Sequence, residues 1–374
     1  MDPTEPPESP PPPEAAAKPA RLASLDAFRG LTVLLMLLVN NVALGEKTPT
    51  QLMHAHWNAG ATLTDLVFPW FLLCVGTAIP FSRRSAEKRG EGSLTILRRI
   101  VARSASMFAL GVFLTSALAQ KPIFSLGVLQ LIALAYLVAA PFGGLSALWR
   151  GGTGLLMLAA YGLFLHFVPE PATGSVDLLE TSNVVRHVNQ TYLAPWGLAG
   201  LLSTIPTAAL VLIGSVAGEW LAAKIPPVQR LARMGSGVAL WLVGLLWHAW
   251  LPMNKALWTP SYILFSAGLG MLVLGAFYLV VDVAKQRWVA YPFQIAGANP
   301  LVGYALPVAL KALILQVWTV PYGGKSVSVL EAWRLWAVDQ AGNVGGGWFY
   351  TLSYVAAVWL FLAYLHARKI YVRL

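Results

Sequence analysis

Apolar runs of about twenty residues recur along the chain, separated by short polar or glycine- and proline-rich stretches, and a helix of that length crosses the hydrocarbon of a bilayer. The runs centre on Leu35, Leu72, Ala109, Leu134, Met157, Val211, Leu242, Met271, Ala309 and Leu360. The pattern predicts an all-α fold, a polytopic transmembrane helical bundle of about ten spans. The fifth run is the weakest, because Gly151, Gly152 and Gly154 thin its start. The third begins with Arg99 and Arg103, which suits an end lying at the membrane interface.

The basic residues then orient the bundle. With the N-terminus cytoplasmic, most of the 26 lysines and arginines fall on the cytoplasmic side, among them the series from Arg83 to Arg103. Lys47, Lys121, Arg186, Lys255, Lys325 and Arg334 fall on the opposite side, and Lys311 lies within the ninth run. This asymmetry follows the positive-inside rule, and an even span count places both termini inside. Two long outer segments remain. Residues 169–196 carry Glu170, Asp177 and Glu180, and residues 321–346 have no clear helical period. Asn189-Gln190-Thr191 is a glycosylation sequon that has meaning only in a secretory pathway.

Composition agrees. Of 374 residues, 57% are hydrophobic and only 11% charged, whereas a soluble domain carries about a quarter charged residues. Too few charges exist to cover a globular surface, so the surface must face lipid. The net charge of +10 is read as membrane topology, with no nucleic-acid partner. One cysteine, Cys74, excludes an intramolecular disulfide framework and a cysteine-based zinc cluster. Residues 1–20, MDPTEPPESPPPPEAAAKPA, read as a disordered proline-rich tail and lack the apolar core of a signal peptide. Residues 21–374 then form one membrane domain.

Polar groups in this apolar background are few. An ionisable residue at the bilayer centre costs about 2.5–3.5 kcal/mol on insertion scales, so each needs a partner or a wet cavity. Asp65 lies early in the second run, Lys311 in the ninth and His248 late in the seventh. Lys311 either snorkels or pairs with Asp65. Asp26 and Arg29, three apart, either pair on one helix face or contact a substrate. His248 reads as a hydrogen-bonded bundle histidine, His166 and His366 as interfacial, and His187 as solvated. The richest constellation is His54-Ala55-His56-Trp57-Asn58, just outside the second run and followed by Asp65. Histidine suits acyl transfer because its pKa lies near neutral. Two interfacial histidines bonded to loop backbone fit the same residues equally well. No third ligand accompanies His54 and His56, so no metal is expected. No phosphate-binding loop, nucleophile elbow or dinucleotide fingerprint is present.

Several ordered blocks resemble one family. They are Arg21-Leu22-Ala23-Ser24-Leu25-Asp26-Ala27-Phe28-Arg29-Gly30-Leu31-Thr32 with Leu38-Val39-Asn40, and His54-Ala55-His56-Trp57-Asn58 running on to Asp65-Leu66-Val67-Phe68-Pro69-Trp70-Phe71. Gly127-Val128-Leu129-Gln130, Gly200-Leu201-Leu202-Ser203-Thr204-Ile205-Pro206 and Pro252-Met253-Asn254-Lys255-Ala256-Leu257-Trp258-Thr259 follow. From Arg21 onward the chain resembles the heparan-α-glucosaminide N-acetyltransferase family and its bacterial relatives. The resemblance implies transfer of an acetyl group from cytosolic acetyl-CoA to a glucosamine amine across the membrane. It implies His54 as the active-site histidine and Asn40 as its companion. Asp65 would orient the imidazole. Asn58, Trp57, His56, Asp26, Arg29, Gln130, Asn254 and Lys255 are the expected substrate contacts, and the basic stretch Arg83–Arg103 would attract the donor's phosphates. Leu131 stands where the family often has arginine. If the chain is bacterial, it belongs in the inner membrane, and a cell-wall or scavenged amino sugar replaces the heparan acceptor. A homodimer is compatible with this reading. The rival is an amino-sugar or oligosaccharide transporter without chemistry, which Asp65 and Lys311 would also suit. A scaffold for envelope enzymes is a third reading.

Overall fold

The computed structural model describes residues 22–372. The tail 1–20, expected to be disordered, and Arg21 of the first block lie outside the described residues.

The described residues are mostly helical. In chain order the helices are α1 (Ala23–Val39), α2 (Leu63–Lys88), α3 (Ser93–Ala119), α4 (Val128–Ala139), α5 (Ala147–Phe167), α6 (Val184–Val188) and α7 (Thr204–Ala222). They continue with α8 (Pro227–Gly235), α9 (Gly237–His248), α10 (Pro260–Phe277), α11 (Arg287–Ala298), α12 (Pro300–Leu310) and α13 (Val329–Ala367). A small hairpin of β1 (Thr319–Tyr322) and β2 (Lys325–Ser328) precedes α13.

All ten apolar centres fall in helices. Six helices are long and apolar enough to cross a membrane: α2, α3, α5, α7, α10 with its continuation to Val283, and α13. The pair Arg287–Ala298 and Pro300–Leu315, bent by 61°, supplies a seventh if it acts as one span. The remaining centres lie on α1, α4 and α9, which hold 17, 12 and 12 residues. Short helices of this kind suit a bundle whose mouth is built from irregular backbone buried in protein.

The second outer segment departs from its expectation as a loop. Residues 319–328 pair as an antiparallel hairpin, Thr319 opposite Ser328 and Tyr322 opposite Lys325. Gly323 and Gly324 turn it with φ of +56° and +76°, a turn that requires left-handed backbone at both positions. The chain then enters α13 at Ser328, whose side chain accepts from the Glu331 amide. Gly342, with φ 70° and ψ 173°, kinks this helix. The first outer segment also contains a short helix, α6, started by Asn183 accepting from the Arg186 amide.

α2 and α7 form the centre. Leu72, Leu73, Ala208, Ala209, Leu210, Val211 and Leu212 are all fully buried there. Without a hydrophobic force between lipid-solvated helices, close backbone approach supplies the packing. Gly76 faces the Val211 carbonyl, Gly214 the Leu73 carbonyl and Gly218 the Thr77 carbonyl, and a Cβ at any of them would overlap that oxygen. α1 and α11 cross in the same way through Gly30 and Gly297. α3, α5, α9 and α13 form the rim and expose large apolar side chains, such as Leu148 at 82% and Leu156 at 70% on α5. That distribution inverts a soluble fold and matches a surface in contact with lipid. Arg150, in the first turn of α5, is buried and ion-paired with Glu219 of α7.

Replacing Gly214 with alanine is expected to destabilise the bundle by about 1–3 kcal/mol, because the helices must separate to admit a methyl group. Gly152→Ala, in open space on α5, is the control expected to leave thermal unfolding in detergent unchanged.

Candidate active site

The site forms where the loop after α1 meets the start of α2. Thr62 has extended backbone, and the helix begins behind it. Asp65, in the first turn, sends its carboxylate back to the unpaired Thr62 amide at 3.2 Å. An acidic residue at that position satisfies an orphan donor and complements the helix dipole. The same oxygen accepts from Thr62 Oγ1 at 3.1 Å and the Ala55 amide at 2.9 Å. The other oxygen lies 2.6 Å from His54 Nδ1. The Asp65 side chain is only 3% exposed, while that of His54 is 66% exposed.

This pairing fixes the histidine. With Nδ1–H donating to the carboxylate, Nε2 carries the lone pair on a largely exposed ring. Lys255 Nζ lies 3.4 Å from the same Asp65 oxygen and 3.4 Å from His54 Nδ1, so both nitrogens converge on one carboxylate. Burial lowers the Lys255 pKa, and the Asp65 charge opposes that shift. Tyr262 of α10 donates to the Asp65 backbone carbonyl at 2.6 Å.

A second network holds the loop against the strap 169–200. Trp57 Nε1 and Asn58 Nδ2 both donate to the Leu178 carbonyl, at 2.8 and 3.0 Å. Asn254 Nδ2 donates to Asn58 Oδ1 at 2.9 Å, and Asn254 Oδ1 accepts from the Leu257 amide at 3.0 Å. Asn58 adopts φ 58°, a left-handed conformation that asparagine tolerates. Both ends of its amide are therefore occupied by protein.

Two cavities meet at His54. An outer chamber of about 540 Å³ is lined by His54, His56, Trp57, Asp65, Asn254, Lys255, Glu180 and Leu131. A second, of about 530 Å³, is lined by Asn40, Asn41, His54, Lys255, Tyr304, Lys311 and Gln316. His54, Phe68, Val128 and Lys255 border both. A third cavity, of about 260 Å³, holds Arg29, Cys74, Arg103 and Tyr136. It lies further along the helices that line the second: Arg29 against Met36 on α1, Phe71 against Phe68 on α2, Leu301 against Tyr304 on α12. Arg103 lies over the Tyr136 ring at 5.1 Å, and its buried Nε has no hydrogen-bond partner among the described residues.

The expected residues thus separate into groups. His54, Asp65, His56, Trp57, Asn254 and Lys255 are brought together, and Asn40 joins His54 across the second chamber. Asn58 braces the loop and lines neither chamber. Asp26 and Arg29 pair at 3.0 Å near the third cavity, at the other end of α1. Gln130 lines none of the three cavities; it is 1% exposed and donates to Thr115 and the Ser125 carbonyl between α3 and α4. Of the two readings of Lys311, the pair with Asp65 does not form, because Lys255 takes the carboxylate. The Lys311 ammonium has no hydrogen bond or ion pair among the described residues, and the residue stands half-buried in the second chamber. The Leu178 carbonyl had no sequence signal, since any residue offers one. Tyr304 and Gln316 were hidden in apolar or loop sequence.

Residues 21–245 match the family model described as heparan-alpha-glucosaminide N-acetyltransferase, catalytic. The chain belongs to this family. Heparan-alpha-glucosaminide N-acetyltransferase of Mus musculus is 27% identical over 353 residues, covering 76% of this chain and 53% of the relative. The Homo sapiens enzyme of that name is 27% identical over 371 residues, covering 81% of this chain and 55% of the relative. The chain spans about half the length of the curated relatives it matches. The family's model takes in the loop with His54, the first turn of α2 and the strap. Among the described residues no cluster of three or more metal-ligating side chains occurs.

The strap carries its own acid-sensitive lock. Glu170 accepts from Thr173 Oγ1 at 2.7 Å, the Thr173 amide at 2.9 Å and Ser182 at 3.2 Å, and these bonds hold its carboxyl below the ordinary value of 4.5. A depressed folded pKa stabilises the strap above pH 4.5 and is lost as pH falls through the lowered value. Hydrogen-exchange protection of residues 170–187 is therefore expected to fall on acidification below pH 4.5, and Glu170→Gln to remove that dependence.

Proposed function

We propose that this protein is an integral-membrane N-acetyltransferase that moves an acetyl group from acetyl-CoA to the amine of an amino sugar. The observation that carries the reading is His54. Its Nδ1 is committed to a buried carboxylate, and the ring borders two chambers at once. Two chambers on one imidazole let donor and acceptor bind together, which supports direct transfer without an acetyl-enzyme.

The donor is assigned to the second and third cavities. Arg29 and the unpartnered Nε of Arg103 suit the nucleotide phosphates, because guanidinium offers several charge-assisted bonds. From Arg29 to Asn40 the α1 axis rises about 16 Å, a span suited to an extended pantetheine arm. The thioester then lies beside Asn40, with Lys311 contributing positive charge to the same chamber. His54 Nε2 removes a proton from the acceptor ammonium, the amine attacks the thioester carbonyl, the C–N bond forms and the C–S bond breaks. The thiolate recovers the proton from His54, and the newly acylated nitrogen, which still carries two hydrogens, loses the second one to water. Asn40 donates to the oxyanion formed on the way. Asp65 keeps the imidazole in the correct tautomer and stabilises its cation.

The acceptor is assigned to the outer chamber. Leu131, where the family often has arginine, forms part of that wall. An apolar side chain there supports an acceptor different from the heparan named in the relatives' descriptions. In the membrane we place about ten helical segments with both termini cytoplasmic, on the basic asymmetry of the sequence. The outer chamber then opens on the non-cytoplasmic side, the periplasmic face of the inner membrane if the chain is bacterial.

His54→Ala is expected to lower acetyl transfer from acetyl-CoA to glucosamine by about 10²–10⁴-fold, the usual worth of a positioned acid–base group. Asp65→Asn, which leaves the wrong tautomer available, is expected to lower kcat with little change in acetyl-CoA binding. Both are read with purified protein and radiolabelled donor. Full activity in His54→Ala removes the mechanism. Uptake of glucosamine into proteoliposomes without acetylation would replace it with a permease.

A further inference from the structure

We propose that Glu180 receives the positively charged amine of the acceptor and so sets a preference for amino sugars over neutral ones. The inference rests on the acetyl-transfer reading above and assigns a recognition residue within it.

An amino sugar arrives at the membrane surface largely as the ammonium form at neutral pH. Moving that cation from water into a partly enclosed chamber is costly unless an anion meets it. Two carboxylates line the outer chamber, Asp65 and Glu180. Asp65 is already saturated. It accepts from His54, the Ala55 amide, the Thr62 amide and the Thr62 hydroxyl, and pairs with Lys255. Glu180 is uncommitted. Only its backbone carbonyl is used, by Arg186 at 3.3 Å, and its carboxylate has no hydrogen bond or ion pair among the described residues.

Its position is fixed even though the side chain is free. Glu180 lies two residues beyond Leu178, whose carbonyl is held by Trp57 and Asn58 of the histidine loop. The strap is thus pinned to the same loop that carries His54. Its other acidic residues are placed differently. Glu170 is consumed inside the strap by Thr173, Ser182 and His187. Asp177 lines none of the three cavities. The remaining charged group of the chamber wall, Lys255, repels an ammonium and leaves Glu180 as its partner.

In the reaction Glu180 forms no covalent bond. It holds the ammonium in the ground state, and the proton leaves to His54 Nε2 before the amine attacks. Loss of its charge therefore weakens acceptor binding and spares the chemical step.

The test uses the purified full chain with glucosamine and acetyl-CoA as probes. Glu180→Gln, which keeps the shape and removes the charge, is expected to raise KM for glucosamine about tenfold, the lower end for a charged hydrogen bond. The kcat and the KM for acetyl-CoA are expected to stay within about twofold. Glu180→Asp should recover part of the loss, and Asp177→Asn should match the wild type. Inhibition by glucose, which lacks the amine, should be the same in Glu180→Gln and the wild type. An unchanged glucosamine KM in Glu180→Gln overturns the inference while leaving the enzyme intact. A fall in kcat with both KM values raised makes Glu180 a structural support of the strap and also overturns it. Absence of transfer by the wild type overturns the acetyl-transfer reading and the inference with it.

Discussion

One buried carboxylate holds the mouth of this bundle together. Asp65 caps the start of α2, fastens the Ala55 amide, orients His54 and pairs with Lys255 from the loop before α10. A carboxylate taken out of water is costly unless every lone pair finds a donor. Here the donors come from the histidine loop, the helix start and a loop nearly two hundred residues away, reached by Lys255. Removing the carboxylate would free all three together. The geometry that supports the proposed transfer is therefore the geometry that closes this end of the fold.

The cavities exist because the surrounding helices are broken. α2 and α7 pack through glycines with almost no space between them. Beyond them, α11 and α12 meet at a 61° bend, and α12 ends in a wide turn that begins at Lys311. A break of this kind leaves backbone groups unpaired unless side chains replace the lost bonds. Asn299 does so. Its Nδ2 donates to the Ile370 carbonyl and its Oδ1 accepts from the Val372 amide, both at 2.9 Å. The tail of the chain thereby seals the bend, and the second chamber is lined further along by Tyr304, Pro307, Val308 and Lys311.

The sequence was informative wherever chemistry was local. The apolar runs located every long helix, because burial in lipid leaves a one-dimensional mark. His54 and Asp65 stand eleven residues apart across a loop and a helix start, close enough for the motif to name both. Two side-chain amides are held elsewhere than the reading placed them. Asn58 and Gln130 are polar residues in apolar surroundings, which resembles a binding site, yet their partners are the Leu178 carbonyl, Asn254, Thr115 and the Ser125 carbonyl. Lys311 left two readings open, and the pairing one fails. A lone lysine in an apolar run invites a carboxylate partner, and Lys255 from a distant loop had already taken it.

The sequence by itself determined a helical membrane protein, its family blocks and the identity of the central histidine and carboxylate, because hydropathy and short motifs act over a few turns of chain. Only the tertiary structure decided that His54 borders two chambers, that Lys255 takes the place offered to Lys311, and that Glu180 lines the outer chamber while Glu170 is spent inside the strap. Those outcomes depend on which of several equivalent charges comes within a few ångströms of another. That distance is set by packing across the whole bundle and leaves no trace in the order of residues.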